Sequence, residues 1–205
     1  MHRILYIASR AVSFAFSPLL IPTYGIIVAF CLSFLVLLPW RTIAVVSATT
    51  FLITGIMPFA IIFLLWRIRR VSHPALRNRR ERLLPYIATI CCYLGCMIYL
   101  IVLKAPVWLW SFMLGAAVSV LFVMFINLKW KISAHTTAFG GFLAMMFRIA
   151  VNGYSPFPLT GCIAVSVLIA GAVATSRLLL RRHSLLQVLS GFVVGFLSVF
   201  LISQM

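Results

Sequence analysis

The chain has 205 residues, of which 64% are hydrophobic, and its mean hydropathy is +1.19. This composition excludes a water-soluble globular domain, because so much apolar side chain cannot be kept dispersed in water. Lysine and arginine total 17 against one acidic residue, Glu81, so an acid/base pair of two carboxylates is also excluded. We therefore expect an all-α integral membrane protein that forms one domain over residues 1–205.

Apolar runs of about 20 residues, the length that crosses a bilayer, recur along the sequence and predict a polytopic bundle of six to seven transmembrane helices. The runs are 17–38, 43–66, 85–103, 107–127, 136–151, 159–176 and 184–203. The first run follows Arg3 and Arg10 without a small-residue cleavage site, so it is predicted to be an anchor and not a signal peptide. Pro18 and Pro22 predict a kink in this anchor, with Tyr24 lining a lipid access path as the alternative.

Seven crossings would place the chain ends on opposite sides of the membrane and sort the basic residues by side. All but three of the 17 lysines and arginines fall on the side of the N-terminus. The exceptions are Arg41, Lys104 and Arg148. The positive-inside rule predicts that the strongly basic side is cytoplasmic, and the basic excess predicts attraction to anionic lipid head groups.

Three polar stretches lie on the strongly basic side, each between the end of one span and the start of the next. They read RNRRERLLP at 77–85, KISAH at 131–135 and SRLLLRRHSLLQ at 176–187. Even numbers of crossings separate them, so all three can meet at one membrane face. Arginine binds phosphate in bidentate fashion, and a phosphate site at a membrane face implies that a lipid carries the phosphate. The predicted partners are a lipid phosphate and anionic lipids, with no nucleic acid.

The scarcity of carboxylates narrows the chemistry of such a site. Phosphohydrolases and prenyltransferases that use magnesium hold it through clustered aspartates or glutamates, and one glutamate cannot build that cluster. The five cysteines fall inside apolar runs, and their spacing fits no zinc pattern, so neither a metal nor a cofactor is predicted. Metal-free phosphoryl transfer remains, with one histidine as nucleophile and another as general acid.

Two histidines stand at predicted helix starts on the strongly basic side. His183 opens the last span, and Gln187 follows at i+4 on the same helix face. The amide oxygen of Gln187 can accept the Nδ1–H of His183, which leaves Nε2 free to attack phosphorus. His135 opens the fifth span just after Ser133, where backbone N–H groups favour an anion. Glu81 is expected either to pair with a neighbouring arginine or to reach His183 if its loop folds over the site.

Over about residues 70–200 these motifs resemble the type 2 phosphatidic acid phosphatase superfamily, which includes lipid phosphate, undecaprenyl pyrophosphate and lipid A phosphatases. Its third motif, S-R-x5-H-x3-D, is matched in register by Ser176, Arg177 and His183. Its second motif, S-G-H, is matched by Ser133 and His135 around an alanine.

The first motif of the family, a basic residue separated by six residues from R-P, is matched loosely. Pro85 places Arg77 at the basic position, but Leu84 stands where the family has arginine. Arg79 and Arg82 can supply that charge from a shifted register.

The resemblance implies a metal-independent phosphatase that works through a phosphohistidine. His183 would be the nucleophile, and His135 would protonate the leaving oxygen and then activate water. The implied phosphate-binding residues are Arg77, Arg79, Arg82, Ser133 and Arg177. The implied substrates are phosphatidic acid, phosphatidylglycerol phosphate, undecaprenyl pyrophosphate or lipid A, in a bacterial cytoplasmic membrane. Many bacterial members act on the periplasmic face, which is the opposite of what the positive-inside rule predicts here.

The main departure from the family is Gln187, which stands at the position of the aspartate in the third motif. An amide can orient His183 but cannot supply the charge that stabilises a cationic phosphohistidine. Two interpretations therefore stay open: an enzyme of reduced activity, and a lipid-phosphate binding or transport protein that has kept the basic residues. An ion channel is disfavoured, because polar residues are scarce within the spans.

Overall fold

A computed structural model describes residues 2–72 and 79–203; within these ranges the side chains of His2, Arg79 and Arg80 are not described. Helices make up 82% of the structure, and the described residues form no β-strand. The α-helices are α1 (His2–Ala15), α2 (Ile21–Leu32), α3 (Trp40–Phe51), α4 (Met57–Arg67), α5 (Leu83–Val102), α6 (Val107–Lys129), α7 (Ala134–Val151), α8 (Thr160–Leu179) and α9 (Leu185–Ile202). Short 3-10 helices occupy Phe34–Leu37 and Arg79–Arg82.

Six helices in the described part of the chain are long and apolar enough to cross a membrane. They are α5 to α9 and a continuous helix, Trp40–Arg67, in which a π-helical turn at Leu52–Ile56 joins α3 to α4. The predicted all-α polytopic bundle is confirmed, and the predicted spans from 43–66 onward each overlap one of these helices.

The predicted first span, 17–38, is wrong as a single helix. Pro18 has no backbone N–H and disfavours helical geometry at Ser17, so α1 ends at Ala15 and helix resumes at Ile21 with Pro22 in its first turn. α2 has 12 residues, a length of roughly 18 Å, which is short of the hydrocarbon core of about 30 Å. The hydroxyl of Tyr24 donates to the carbonyl of Ala15 at 3.0 Å and ties α2 to the end of α1.

Four helices end in the same way, with a left-handed residue just beyond the last turn. These residues are Arg69, Lys104, Gly153 and Arg181, with φ between 51° and 66°. At each end the next N–H reaches back to a carbonyl five residues earlier, as in Arg182 N–H to Arg177 O at 3.1 Å. Glycine is the usual residue at this position, yet here three of the four are basic, which places a cation at the negative end of the helix dipole.

α7 and α9 pack so closely that three glycines stand where a side chain would collide with backbone. A Cβ on Gly195 would meet the carbonyl of Thr137, and a Cβ on Gly140 would meet the carbonyl of Phe192. A Cβ on Gly191 would lie 2.6 Å from the carbonyl oxygen of Ser133. Small residues at membrane helix contacts allow this approach, and here it brings the N-termini of α7 and α9 side by side.

We expect Gly195→Ala to destabilise the protein by about 1–3 kcal/mol, because the added methyl group overpacks the α7–α9 contact. The thermal midpoint in detergent should fall. Gly171→Ala in α8 is the matched control, since a Cβ there has no neighbour within 4 Å, and alanine should hold or slightly raise the midpoint. Equal midpoints for Gly195→Ala and the unmodified protein would contradict this account of the contact.

Candidate phosphate site

The three predicted polar stretches meet at one face of the bundle. Lys131 Nζ, before α7, donates to the carbonyl of Arg182, before α9, at 2.6 Å. Arg82, before α5, lies close enough to act electrostatically on Lys131, Arg177 and His183. The meeting expected from the count of crossings is therefore present among the described residues.

Gln187 holds His183 in one orientation. Its Oε1 lies 3.2 Å from His183 Nδ1 and 3.2 Å from the backbone nitrogen of Ser184. A backbone N–H can only donate, so the atom between the two nitrogens is the amide oxygen. His183 therefore carries its proton on Nδ1, and the lone pair of Nε2 is free.

Gln187 also caps the N-terminus of α9. Ser184 and Gln187 form a capping box at the start of α9: the Ser184 Oγ accepts from the N–H of Gln187 at 3.5 Å while Oε1 accepts from the N–H of Ser184. This exchange satisfies backbone donors that have no partner inside the helix. Gln187 thus has a structural role that is independent of any catalysis.

The electrostatic surroundings keep His183 neutral. Burial, followed by the charges of Lys131 and Arg177, lowers the pKa of His183 to about 4, and the hydrogen bond from Nδ1 to Gln187 opposes this shift only in part. Burial and the nearby charges of Arg82, Arg177 and Arg182 also lower the pKa of Lys131. At neutral pH the imidazole of His183 is therefore neutral, and it lies among cations.

His135 and Arg177 are joined by Ser13, near the end of α1. The Nε2–H of His135 donates to the carbonyl of Ser13 at 3.1 Å, since a carbonyl can only accept. The Nη1 of Arg177 donates to the hydroxyl of Ser13 at 3.3 Å. The carbonyl and hydroxyl oxygens of Ser13 thus accept hydrogen bonds from His135 and from Arg177. Sequence reasoning missed Ser13, because no local pattern reveals contacts across 122 and 164 residues.

One guanidinium donor in this cluster has no partner. Arg177 Nε is buried and makes no hydrogen bond within the described part of the chain. A buried donor without a partner is costly and invites an acceptor. Arg148 Nε, close to the opposite face, shares this property, so the observation supports an anion only together with the surrounding cluster.

Ser133 is fully buried. Its hydroxyl accepts from the N–H of Thr136 at 3.5 Å and caps α7, and its own N–H donates to the carbonyl of Gln187 at 3.2 Å. Its carbonyl accepts from the hydroxyls of Thr136 and Thr137. Ser133 thus fixes the start of α7 against α9, and its predicted contact with phosphate stays a prediction.

The first motif is described only in part. Arg77 lies outside the described residues, as does the side chain of Arg79, so their predicted phosphate contacts stay predictions. Arg82 is hydrogen-bonded to Tyr86 in α5. The carboxylate of Glu81 accepts from the N–H and hydroxyl of Ser72 at 2.8 and 2.9 Å, whereas the position beside His183 Nδ1 is taken by Gln187.

Taken together, these groups form a candidate site for an anion. The N-termini of α7 and α9 open onto it, and each contributes the positive end of a helix dipole. The cations around it are Arg82, Lys131, Arg177 and Arg182. Across residues 2–72 and 79–203, no three histidine, cysteine, aspartate or glutamate side chains come together as metal ligands.

No protein-family model matches the chain, and neither a curated protein nor a solved structure matches it. The family resemblance therefore rests on the motifs alone and stays a prediction.

We expect His183 to remain neutral well below its ordinary pKa of about 6.5, until the pH falls to about 4. Because the unfolded chain takes up this proton first, the folded state loses stability as the pH drops from 6.5 toward 4. Lys131→Met should raise the pKa of His183, since it removes a nearby positive charge. NMR titration of protein labelled at histidine measures the shift.

Lys129→Met is the charge-matched control for this titration, because Lys129 is not among the groups that shift His183. A His183 pKa near 6.5 in the unmodified protein, or one that Lys131→Met leaves unchanged, would contradict the described electrostatics.

Proposed function

We propose that this chain is a metal-independent phosphatase of the type 2 phosphatidic acid phosphatase kind, acting on a lipid phosphate or pyrophosphate in a bacterial cytoplasmic membrane. The observation that carries the proposal is the pair His183–Gln187, in which Nδ1 is protonated and Nε2 is free, set among Arg82, Lys131 and Arg177. This is the arrangement that nucleophilic attack on a phosphate requires.

In the first step, the Nε2 lone pair of His183 attacks phosphorus and the bond from phosphorus to the lipid oxygen breaks. His135 acts here as an imidazolium, with its second proton on Nδ1, and turns from the carbonyl of Ser13 toward the substrate. The leaving oxygen takes its Nε2 proton and leaves a neutral imidazole. Arg177 gives up the Ser13 hydroxyl for a phosphate oxygen, and its unpartnered Nε supplies a second donor. The cations balance the charge on the equatorial oxygens.

In the second step, water attacks the phosphohistidine, His135 Nε2 takes the proton from that water, and the nitrogen–phosphorus bond breaks. Inorganic phosphate leaves and His183 is again neutral. Gln187 keeps the Nδ1 proton in place throughout, but it adds no negative charge to offset the cationic intermediate. Because the cationic phosphohistidine lacks this stabilising charge, we expect slow turnover.

The test of the proposal is phosphate release from purified protein in nanodiscs. The substrates are phosphatidic acid, phosphatidylglycerol phosphate and undecaprenyl pyrophosphate, with and without EDTA. We expect release that EDTA does not reduce and that His183→Ala lowers by more than about a thousandfold, as loss of a nucleophile does. His2→Ala, outside all three motifs, is the control.

For the phosphate contacts, Arg177→Ala should raise the KM for the lipid phosphate, because it removes the donors beside the reacting group. Arg41→Ala is the matched control: Arg41 stacks on Trp40, where α3 begins. An equal effect of the two arginine variants would speak against a specific clamp at Arg177.

The role of Gln187 is tested by Gln187→Glu and Gln187→Leu. Glutamate retains both hydrogen bonds and adds the missing charge, so we expect the turnover number to rise by about tenfold, the effect of 1.4 kcal/mol on the barrier. Leucine loses both bonds and should lower turnover. Ser184→Ala removes only the hydroxyl cap, at a cost of about 1 kcal/mol in stability, and separates capping from catalysis.

A second candidate function is binding or transport of a lipid phosphate without turnover. It is favoured by the capping box, which explains Gln187 through helix stability alone. No phosphate release from any of the three lipids, together with binding that Arg177→Ala abolishes, would favour this function. If Gln187→Glu then conferred turnover, the missing negative charge would be identified as the reason why the unmodified protein is inactive.

A further inference from the structure

Below the phosphate site lies a cavity of about 270 Å³ inside the bundle. Its walls come from the break between α1 and α2 and from faces of α5, α6 and α7, and Ile62 of α4 completes it. The lining along α5 runs from Pro85 to Tyr93, so the cavity extends roughly 15 Å below the start of that helix. It therefore reaches about half-way through the hydrocarbon core.

The upper end of the cavity is continuous with the phosphate site. His135 lies in its wall and is also bonded to Ser13, the residue that Arg177 contacts. Tyr86 lines the cavity as well, and its side chain is hydrogen-bonded to Arg82 of the cationic cluster. One end of the cavity thus touches the phosphate-binding groups on two sides.

The rest of the cavity offers little to a polar ligand. Four polar side chains in its wall already donate to carbonyls of the protein. They are Thr89 to Pro85 at 2.8 Å, Ser119 to Ala116 at 2.7 Å, Thr137 to Ser133 at 3.0 Å and Tyr93 to Pro18 at 3.3 Å. Their donors are spent, and the other lining residues below the histidine are mainly aliphatic, aromatic or proline. A largely apolar space of this kind favours hydrocarbon over water.

We propose that this cavity binds one hydrocarbon chain of the lipid whose phosphate occupies the site above it. The proposal rests on the proposed function for the identity of the head group. An apolar cavity of about 150 Å³ already holds benzene, so by the same measure this one has room for a chain segment of roughly ten carbons. It has no room for a second chain, which in a two-chain lipid stays in the bilayer.

The protein therefore selects its substrate by chain as well as by phosphate. A long single chain gains the free energy of burying its methylenes in the cavity, and that gain is absent for a short alkyl phosphate. The site should prefer dodecyl phosphate to butyl phosphate even though the reacting group is the same.

The test fills the cavity from α6. Ser119→Leu and Ala116→Leu each place a branched side chain in the space, and both positions are buried in the wall. Ala164→Leu is the matched control, because Ala164 is exposed on α8. In nanodiscs we expect each filling variant to lower the ratio of kcat/KM for dodecyl phosphate to that for butyl phosphate by about tenfold, the effect of roughly two buried methylenes. The control should keep the ratio of the unmodified protein.

A second measurement does not depend on turnover. Dodecyl phosphate with a mid-chain diazirine is photo-crosslinked to the protein, and dodecanol with the same diazirine serves as the comparison probe. We expect dodecyl phosphate to label the α5 and α6 residues of the cavity wall, and this labelling to fall in either filling variant but not in Ala164→Leu. Dodecanol should label the same residues more weakly. Gel filtration shows which variants are folded, and either filling variant alone suffices.

The outcomes separate the chain site from the enzyme. Labelling of the cavity without phosphate release supports the chain site and counts against the phosphatase. Phosphate release at a chain-independent rate, with labelling confined to the outer surface of the bundle, overturns the chain site and leaves the phosphatase standing. Equally strong labelling by dodecanol and dodecyl phosphate overturns the link between the cavity and the head group.

Discussion

The close approach of α7 and α9 is the contact on which the candidate site depends. In a bilayer, helices gain no hydrophobic free energy by meeting, so their association relies on van der Waals packing and hydrogen bonds. Gly140, Gly191 and Gly195 let the two backbones touch, and the bond from Ser133 N–H to the carbonyl of Gln187 fixes their relative height. These backbone contacts, and not contacts between the site side chains, determine where the residues at the two helix starts lie.

Much of the fold could be predicted from the sequence, because six spans have a high mean hydropathy, which the amino-acid composition gives directly. The N-terminal region could not be predicted in the same way. There the apolar composition continues through Ser17, but the prolines at 18 and 22 divide the chain into α1 and a helix too short to cross the membrane. A hydropathy window averages over such breaks. The helix itself is interrupted there, because proline cannot donate a backbone hydrogen bond.

In the predicted site, too, contacts within one segment could be predicted, whereas contacts between distant segments could not. The contact between His183 and Gln187 is local, set by the helical repeat, and could be foreseen from the spacing. The sequence S-x-x-Q from Ser184 to Gln187 is also a capping signal, and the capping box that it encodes is present. The bonds of Ser13 to His135 and Arg177 depend on α1 returning to the bundle, and no pattern within one segment encodes that return.

Four cations lie close together in the basic cluster, and this has a consequence for selectivity. Burial lowers the pKa of Lys131, and repulsion by the charges of Arg82, Arg177 and Arg182 lowers it further. An anion relieves that repulsion in proportion to its charge. A phosphate monoester carries nearly two negative charges at neutral pH, whereas the phosphodiester of an ordinary phospholipid carries one. In the proposed function, this difference in charge would favour a terminal phosphate over the far more abundant diesters of the surrounding bilayer.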